Sequence, residues 1–150
     1  MNSLSELLEM HNAAKAKFQE EGKKLLKKEF EKFFAENPRI DKISWRQYTP
    51  YFNDGDACHF AVYHPYMHID PALMPKWAAL DGFDEDEDNM CRVCIYEAEE
   101  LEFVKEGKAL NKLWRDVEEC KDIMLELFGD HVSVIASTKG GFITDRIDHD

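Results

Sequence analysis

No apolar run in the chain approaches the roughly 18 residues needed for a membrane span. No basic start leads into an apolar stretch, so no export signal is expected. The sequence contains no Gly-x-Ser-x-Gly, no glycine-rich phosphate loop and no His-Glu-x-x-His, which leaves nucleophilic, phosphoryl-transfer and zinc-hydrolase chemistry without a motif. A basic balance is missing too. With 19 basic residues against 31 acidic ones the formal charge is −12, which argues against direct duplex binding through phosphates. Cysteine is sparse: Cys58, Cys91, Cys94 and Cys120 are expected as free thiols in a reducing cytoplasm. Cys58 and Cys120 read as small core residues within apolar patterns.

What remains suffices for a core. The 150 residues are 44% apolar, with 10 Phe, 5 Tyr and 3 Trp, and form a single expected domain, 1–150. Residues 3–36 read as one long helix opened by a Ser3-Leu4-Ser5-Glu6 capping box and closed by Asn37-Pro38. Its stripe is Leu4, Leu7, His11, Ala14, Phe18, Gly22 and Leu25, continued slightly rotated by Leu26, Phe30, Phe33 and Phe34. The opposite face is rich in Lys and Glu and nearly neutral. Such a helix spans about 50 Å, whereas a globule of this size is roughly 38 Å across. It must therefore kink at Gly22 or pack its free end on another copy. Self-association through residues 1–37 is expected, with Gly22 allowing close approach of a neighbouring helix.

Residues 40–64 read as a β-hairpin, Ile43–Phe52 and Cys58–Tyr63 about an Asn53-Asp54-Gly55-Asp56 turn. Pro50 marks an edge or bulge. Residues 65–90 read as irregular, with a short helix near Met74–Leu80, and 91–96 as a short strand. An amphipathic helix over 108–128 points Leu110, Leu113, Trp114, Val117, Cys120, Met124, Leu127 and Phe128 one way and is capped by Gly129. A second hairpin, 131–138 and 142–147, ends the chain. The expected fold is α+β: one antiparallel sheet from both hairpins, with the helices on one face.

Three constellations could carry chemistry. Arg46, Tyr48, Tyr51, Asn53, Asp54 and Asp56 gather aromatic faces and polar groups around one hairpin tip, which would suit stacking and orienting a ligand; turn chemistry alone also accounts for them. His59, His64, His68 and Asp70 with Cys91-x-x-Cys94 contain zinc-ligand types but lack finger spacing, and on a strand the two thiols would point to opposite faces; no metal and no cofactor is expected. Residues 81–106 hold 11 acidic and 2 basic residues, centred on Asp84, Glu85, Asp86, Glu87 and Asp88. That run lacks the glycine and distal Glu of a calcium loop, and reads either as a solubilising surface or as a surface for a basic partner.

The stretch Trp45-Arg-Gln-Tyr-Thr-Pro-Tyr-Phe-Asn-Asp-Gly-Asp56, with Phe33-Phe34-Ala-Glu-Asn-Pro38 and Leu127-Phe-Gly-Asp-His-Val132, resembles a group of small proteins encoded by tailed bacteriophages and some bacteria. The resemblance covers the hairpins and the end of the long helix, and it carries over no activity and no catalytic residue. It implies an accessory protein acting in the bacterial host. The expected function is thus non-enzymatic: binding and inhibiting a host protein with a basic surface. Alternatives are an oligomeric binder of a nucleotide-type signal, using Arg46, Tyr48 and Tyr51, and a phage structural or assembly component.

Overall fold

The computed structural model describes residues 3–50, 58–73, 91–138 and 141–147. Helix α1 (Ser3–Glu36) is followed, after a turn over residues 37–41, by strand β1 (Lys42–Tyr48). Strands β2 (Ala61–Val62), β3 (Tyr66–Ile69) and β4 (Cys91–Cys94) follow, then α2 (Val104–Glu119), α3 (Lys121–Phe128), β5 (Val132–Ser137) and β6 (Phe142–Arg146). The strands form one antiparallel sheet in the order β4-β3-β1-β5-β6, with β2 also paired to β1. The class is α+β. No helix among the described residues is long and apolar enough to cross a membrane.

Period-2 alternation decides the faces. In β1, Ile43, Trp45 and Gln47 are buried while Lys42, Ser44 and Arg46 point the other way. The register sets Ile43 beside Met67 and Ala136, Trp45 beside Val134, and Met67 beside Val93, all buried. Trp45 collects the helices on this face. Phe30 of α1 stacks on it at 5.5 Å, and Trp114 of α2 and Phe128 of α3 meet it edge-on at 5.1 and 5.9 Å. Phe142 of β6 closes the cluster at 6.4 Å.

The first hairpin is longer and less regular than its sequence suggests. Its returning strand is broken into β2 and β3, and β3 falls in the stretch read as irregular. The pairs Gln47↔Val62 and Ser44↔Tyr66 show that the return carries one more residue than β1 between them, a bulge at Tyr63–Pro65. Pro65 has no N–H for the ladder, which is why the pairing lapses there. Four residues between Pro65 and Pro71 gave little periodic signal.

The second helix also departs from expectation. It starts at Val104, stops at Glu119, and resumes at Lys121. Cys120 sits at the break with its N–H donating back to Asp116 and Val117 carbonyls, and it is exposed, not a core residue. The break re-aims the chain so that Leu110, Trp114 and Val117 before it, and Met124 and Leu127 after it, all reach the core. Gly129 follows with φ +92°, the backbone that a glycine cap accommodates.

Helix α1 is unbroken through Gly22. From Gln19 onward it is held by its own chain: Gln19 Nε2 donates to the Glu126 carbonyl at 3.0 Å, and a Cβ on Gly22 would lie 3.0 Å from Leu127 Cδ2. The neighbour at Gly22 is therefore α3 of the same chain and not a second copy. Residues 3–18 are exposed along their whole length.

Gly107 is the tightest close approach. A Cβ there would stand 2.7 Å from the Ala98 Cβ. Replacing a helical glycine by alanine ordinarily adds about 0.5–1 kcal/mol of stability. At this position Gly107→Ala is expected to lose about 1–3 kcal/mol through overpacking, read as a lower urea midpoint at unchanged slope.

Candidate functional site

The residues singled out from the sequence fall in three places. Tyr51, Asn53, Asp54 and Asp56, and the acidic run Asp84, Glu85, Asp86, Glu87 and Asp88, lie outside the described residues, as does the expected helix near Met74–Leu80. Arg46 is exposed on the sheet face away from the helices. Tyr48 shares that face at the end of β1, but its ring is occupied. Tyr63 stacks on it at 4.4 Å from one neighbouring strand edge, and His131 lies at 6.3 Å, nearly parallel, from the other. The resulting row Tyr63–Tyr48–His131 ties three chain segments together, so Tyr48 serves the sheet. Burial, then a hydrogen bond with Tyr48, pushes the Tyr63 phenol above its ordinary range.

Beneath that row a clamp holds the base of the first hairpin. Thr49 donates from its backbone N–H to Asp130 Oδ1 and from Oγ1 to Oδ2, both at 2.8 Å. Asp130 Oδ1 also accepts the His131 N–H at 2.9 Å. Partial burial alone would raise this carboxyl, but the Thr49 bonds, helped by His131, outweigh it and hold the pKa below the ordinary value. Asp130 was passed over in the sequence; the signal was an Asp directly after a capping glycine, where its side chain can reach neighbouring N–H groups.

The cysteines and histidines are dispersed. Cys91 is buried on the helix face beside Ile69, whereas Cys94 pairs with Tyr66 on the opposite face. Burial raises the Cys94 thiol, and a hydrogen bond with Glu97 adds to the shift. His68 is buried and shares a hydrogen bond of 2.7 Å with Ser44 Oγ. Asp70 accepts the Ala72 N–H, closing a turn. Among the described residues no three His, Cys, Asp or Glu side chains converge where one ion could sit.

What the structure does bring together is an exposed acidic and aromatic surface at the β4 edge. The chain leaves β4 into a tight run of turns, residues 95–102, anchored inward by buried Ala98, Leu101 and Phe103. The polar residues between those anchors must point outward: Tyr96 is 78% exposed, and Glu99, Glu100 and Glu102 are exposed. His64 meets Tyr96 edge-on at 5.5 Å and lies 5.9 Å from Tyr66, extending the aromatic surface onto β3. Arg92 stands over Tyr66 at 6.0 Å.

The neighbouring Glu106 is different. Its side chain is only 4% exposed, and both oxygens accept from Arg39, at 2.7 and 2.8 Å. Arg39 also covers the Phe103 ring at 4.1 Å. Burial would raise this carboxyl, yet the Arg39 bonds bring it below its usual range. Glu106 thus locks the turns to the Asn37–Ile40 corner, leaving Glu99, Glu100 and Glu102 to face solvent. No family model, curated protein or solved structure matches the chain.

The Asp130 clamp gives a pH signature. Because the folded-state pKa is depressed, its contribution is fully present above about pH 4, the unfolded carboxyl range, and is lost as pH falls through the folded value. Asp130→Ala is expected to cost about 1–2 kcal/mol at pH 7. The gap to the parent should narrow in acid, as measured by urea unfolding at pH 7 and pH 3.

Proposed function

We propose that the chain is a non-enzymatic binding protein whose acidic surface engages a basic surface on another protein, and that its setting is a phage-type accessory protein acting on a host component. The observation that carries this reading is the exposed set Tyr96, Glu99, Glu100 and Glu102 on turns held rigidly by a buried interior. Carboxylates on a fixed scaffold draw a Lys- or Arg-rich partner from a distance and favour that class over others. An exposed tyrosine among them supplies a ring face for a cation at contact. Positions 81–106, which include these turns, hold 11 of the chain's 31 acidic residues. The resemblance of the Trp45–Asp56 hairpin to the phage-borne group supports the choice of a host protein as partner. The small-molecule alternative would use Arg46, Tyr48 and Tyr51; of these, Arg46 is exposed and Tyr48 already stacks on Tyr63 at 4.4 Å.

The combined variant Glu99→Gln, Glu100→Gln, Glu102→Gln is expected to fold as the parent does, since exposed substitutions away from special features shift stability by only about 0.5 kcal/mol. In affinity capture from bacterial lysate, the parent should retain a basic protein at low salt and release it as salt rises. The neutralised variant should capture it at least several-fold less well. Equal capture by both, or capture insensitive to salt, would place the binding elsewhere on the chain and defeat the reading.

A further inference from the structure

Helix α1 carries two different apolar faces. Its C-terminal half turns Leu26, Phe30, Phe33 and Phe34 into the core. At 3.6 residues per turn, Leu4, Leu7, His11, Ala14, Phe18 and Leu25 lie on a second stripe, displaced from the first by roughly 100° about the axis. This second stripe is exposed except at Gly22, where Leu127 of α3 lies against it: Leu4 is 75%, Leu7 61% and Leu25 64% exposed, and Phe18 40%. Leu8 and Met10 widen it. The stripe is thus not merely the uncovered end of a core-facing helix. Its steps of three and four residues, from Leu4 through Phe18 and on by seven to Leu25, are those of a coiled-coil seam.

We infer that this stripe is covered by the same stripe of a second copy, the two α1 helices running antiparallel. This inference is independent of the acidic-surface reading and engages a different part of the molecule. Three observations select a second copy. The first is continuity. Leu4, Leu7, Leu8, Met10, Phe18 and Leu25 are each 40–75% exposed along one helix, a continuous apolar face of the kind that marks an interaction surface, unlike singly scattered surface hydrophobics. The second is charge. Helix α1 holds seven Glu and seven Lys and is neutral, so the chain's −12 lies entirely in residues 37–150 and the adjoining terminal residues. Two copies can meet along α1 without like-charge repulsion, and a basic partner is not drawn there.

The third observation is shape, which also sets the direction. About a two-fold axis on the seam face, level with residue 16 along the helix, Leu7 of one copy would stand opposite the partner's Leu25, Ala14 opposite the partner's Phe18, and His11 opposite the partner's Glu21. Large side chains thus face small or matching ones. The overlap runs over residues 4–28, about 37 Å of helix. Each projecting end then lies along the anchored half of the other helix. The antiparallel arrangement sets the helix dipoles against each other. It also sends the two sets of acidic turns, each tied to Arg39 just beyond the C-terminal end of its own α1, to opposite ends of the pair. A parallel pair would press them together.

Sedimentation equilibrium on the full chain at micromolar concentration should give twice 17.5 kDa. Phe18→Glu should weaken the dimer by roughly 100-fold or more, because it puts a carboxylate into a desolvated seam, with the circular dichroism spectrum kept. Ala16→Glu, on the far side of the helix, should remain dimeric. In a Cys120→Ser background, Leu7→Cys with Leu25→Cys should form a disulfide-linked dimer on mild oxidation, and Leu7→Cys alone should not. A monomeric parent overturns the inference, including one that co-purifies with a different chain on its stripe. Equal dissociation by Ala16→Glu and Phe18→Glu overturns the seam, and cross-linking through Leu7→Cys alone overturns the antiparallel direction.

Discussion

The aromatic contacts of Trp45 are the constraint around which this fold is arranged. One indole on the central strand meets a ring from each of the three helices and another from the terminal strand. Aromatic pairs contribute on the order of 1 kcal/mol each beyond their buried area, but their geometry matters more here. A helix that slid or rotated would lose its ring contact with Trp45, so the indole fixes the docking of all three. Its N–H donates to Gln47 Oε1, and Gln47 in turn donates to the carbonyls of Met124 and Gly129. The buried polar pair therefore leaves no indole or amide group unsatisfied, and it fastens both α3 and its glycine cap to the sheet.

Much of this was legible from residue order because the strong periodic signals and the tertiary packing agree. The unbroken helix over 3–36, the β1 alternation, the Gly129 cap and the terminal hairpin all have local causes. The features that were not legible depend on what local signals cannot carry. Cys120 continues the helical stripe perfectly in sequence, and only the meeting of α2 and α3 on one core face requires a break there. Strand β3 is four residues between prolines, defined by its partners Ile43 and Val93 and not by its own pattern. Gly22 is suited to a close neighbour, as its position on the stripe suggests, but sequence spacing could not say that the neighbour is Leu127 of the same chain.

The candidate surfaces follow the same division. Acidic density in 81–106 was plain from composition, yet composition treats its carboxylates alike. The structure separates Glu106, buried and bonded to Arg39, from Glu99, Glu100 and Glu102, which face water. In sequence, Tyr48 groups with Arg46 and Tyr51 as aromatic and polar residues beside one hairpin tip. Its stacking on Tyr63 depends on a bulge that no residue count reveals. Asp130, which binds Thr49 and steadies the approach to that turn, is 81 residues away in sequence.

Charge and apolar surface are therefore partitioned between two parts of one chain. The body carries the whole formal excess of carboxylates, and the helix carries the exposed leucines with none of the net charge. This separation has a physical consequence. A strongly acidic surface repels copies of itself and attracts basic partners over about a Debye length, whereas an apolar seam acts only at contact and is not screened by salt. Were the leucines set among the carboxylates, each would weaken the other: self-repulsion would oppose pairing, and desolvating the carboxylates would oppose burial. Held on a helix that extends beyond the body, the seam can be covered without burying any of the acidic turns. Pairing the helices would leave two such surfaces free on opposite ends of one assembly, and two linked sites raise the effective concentration seen by a partner that can reach both.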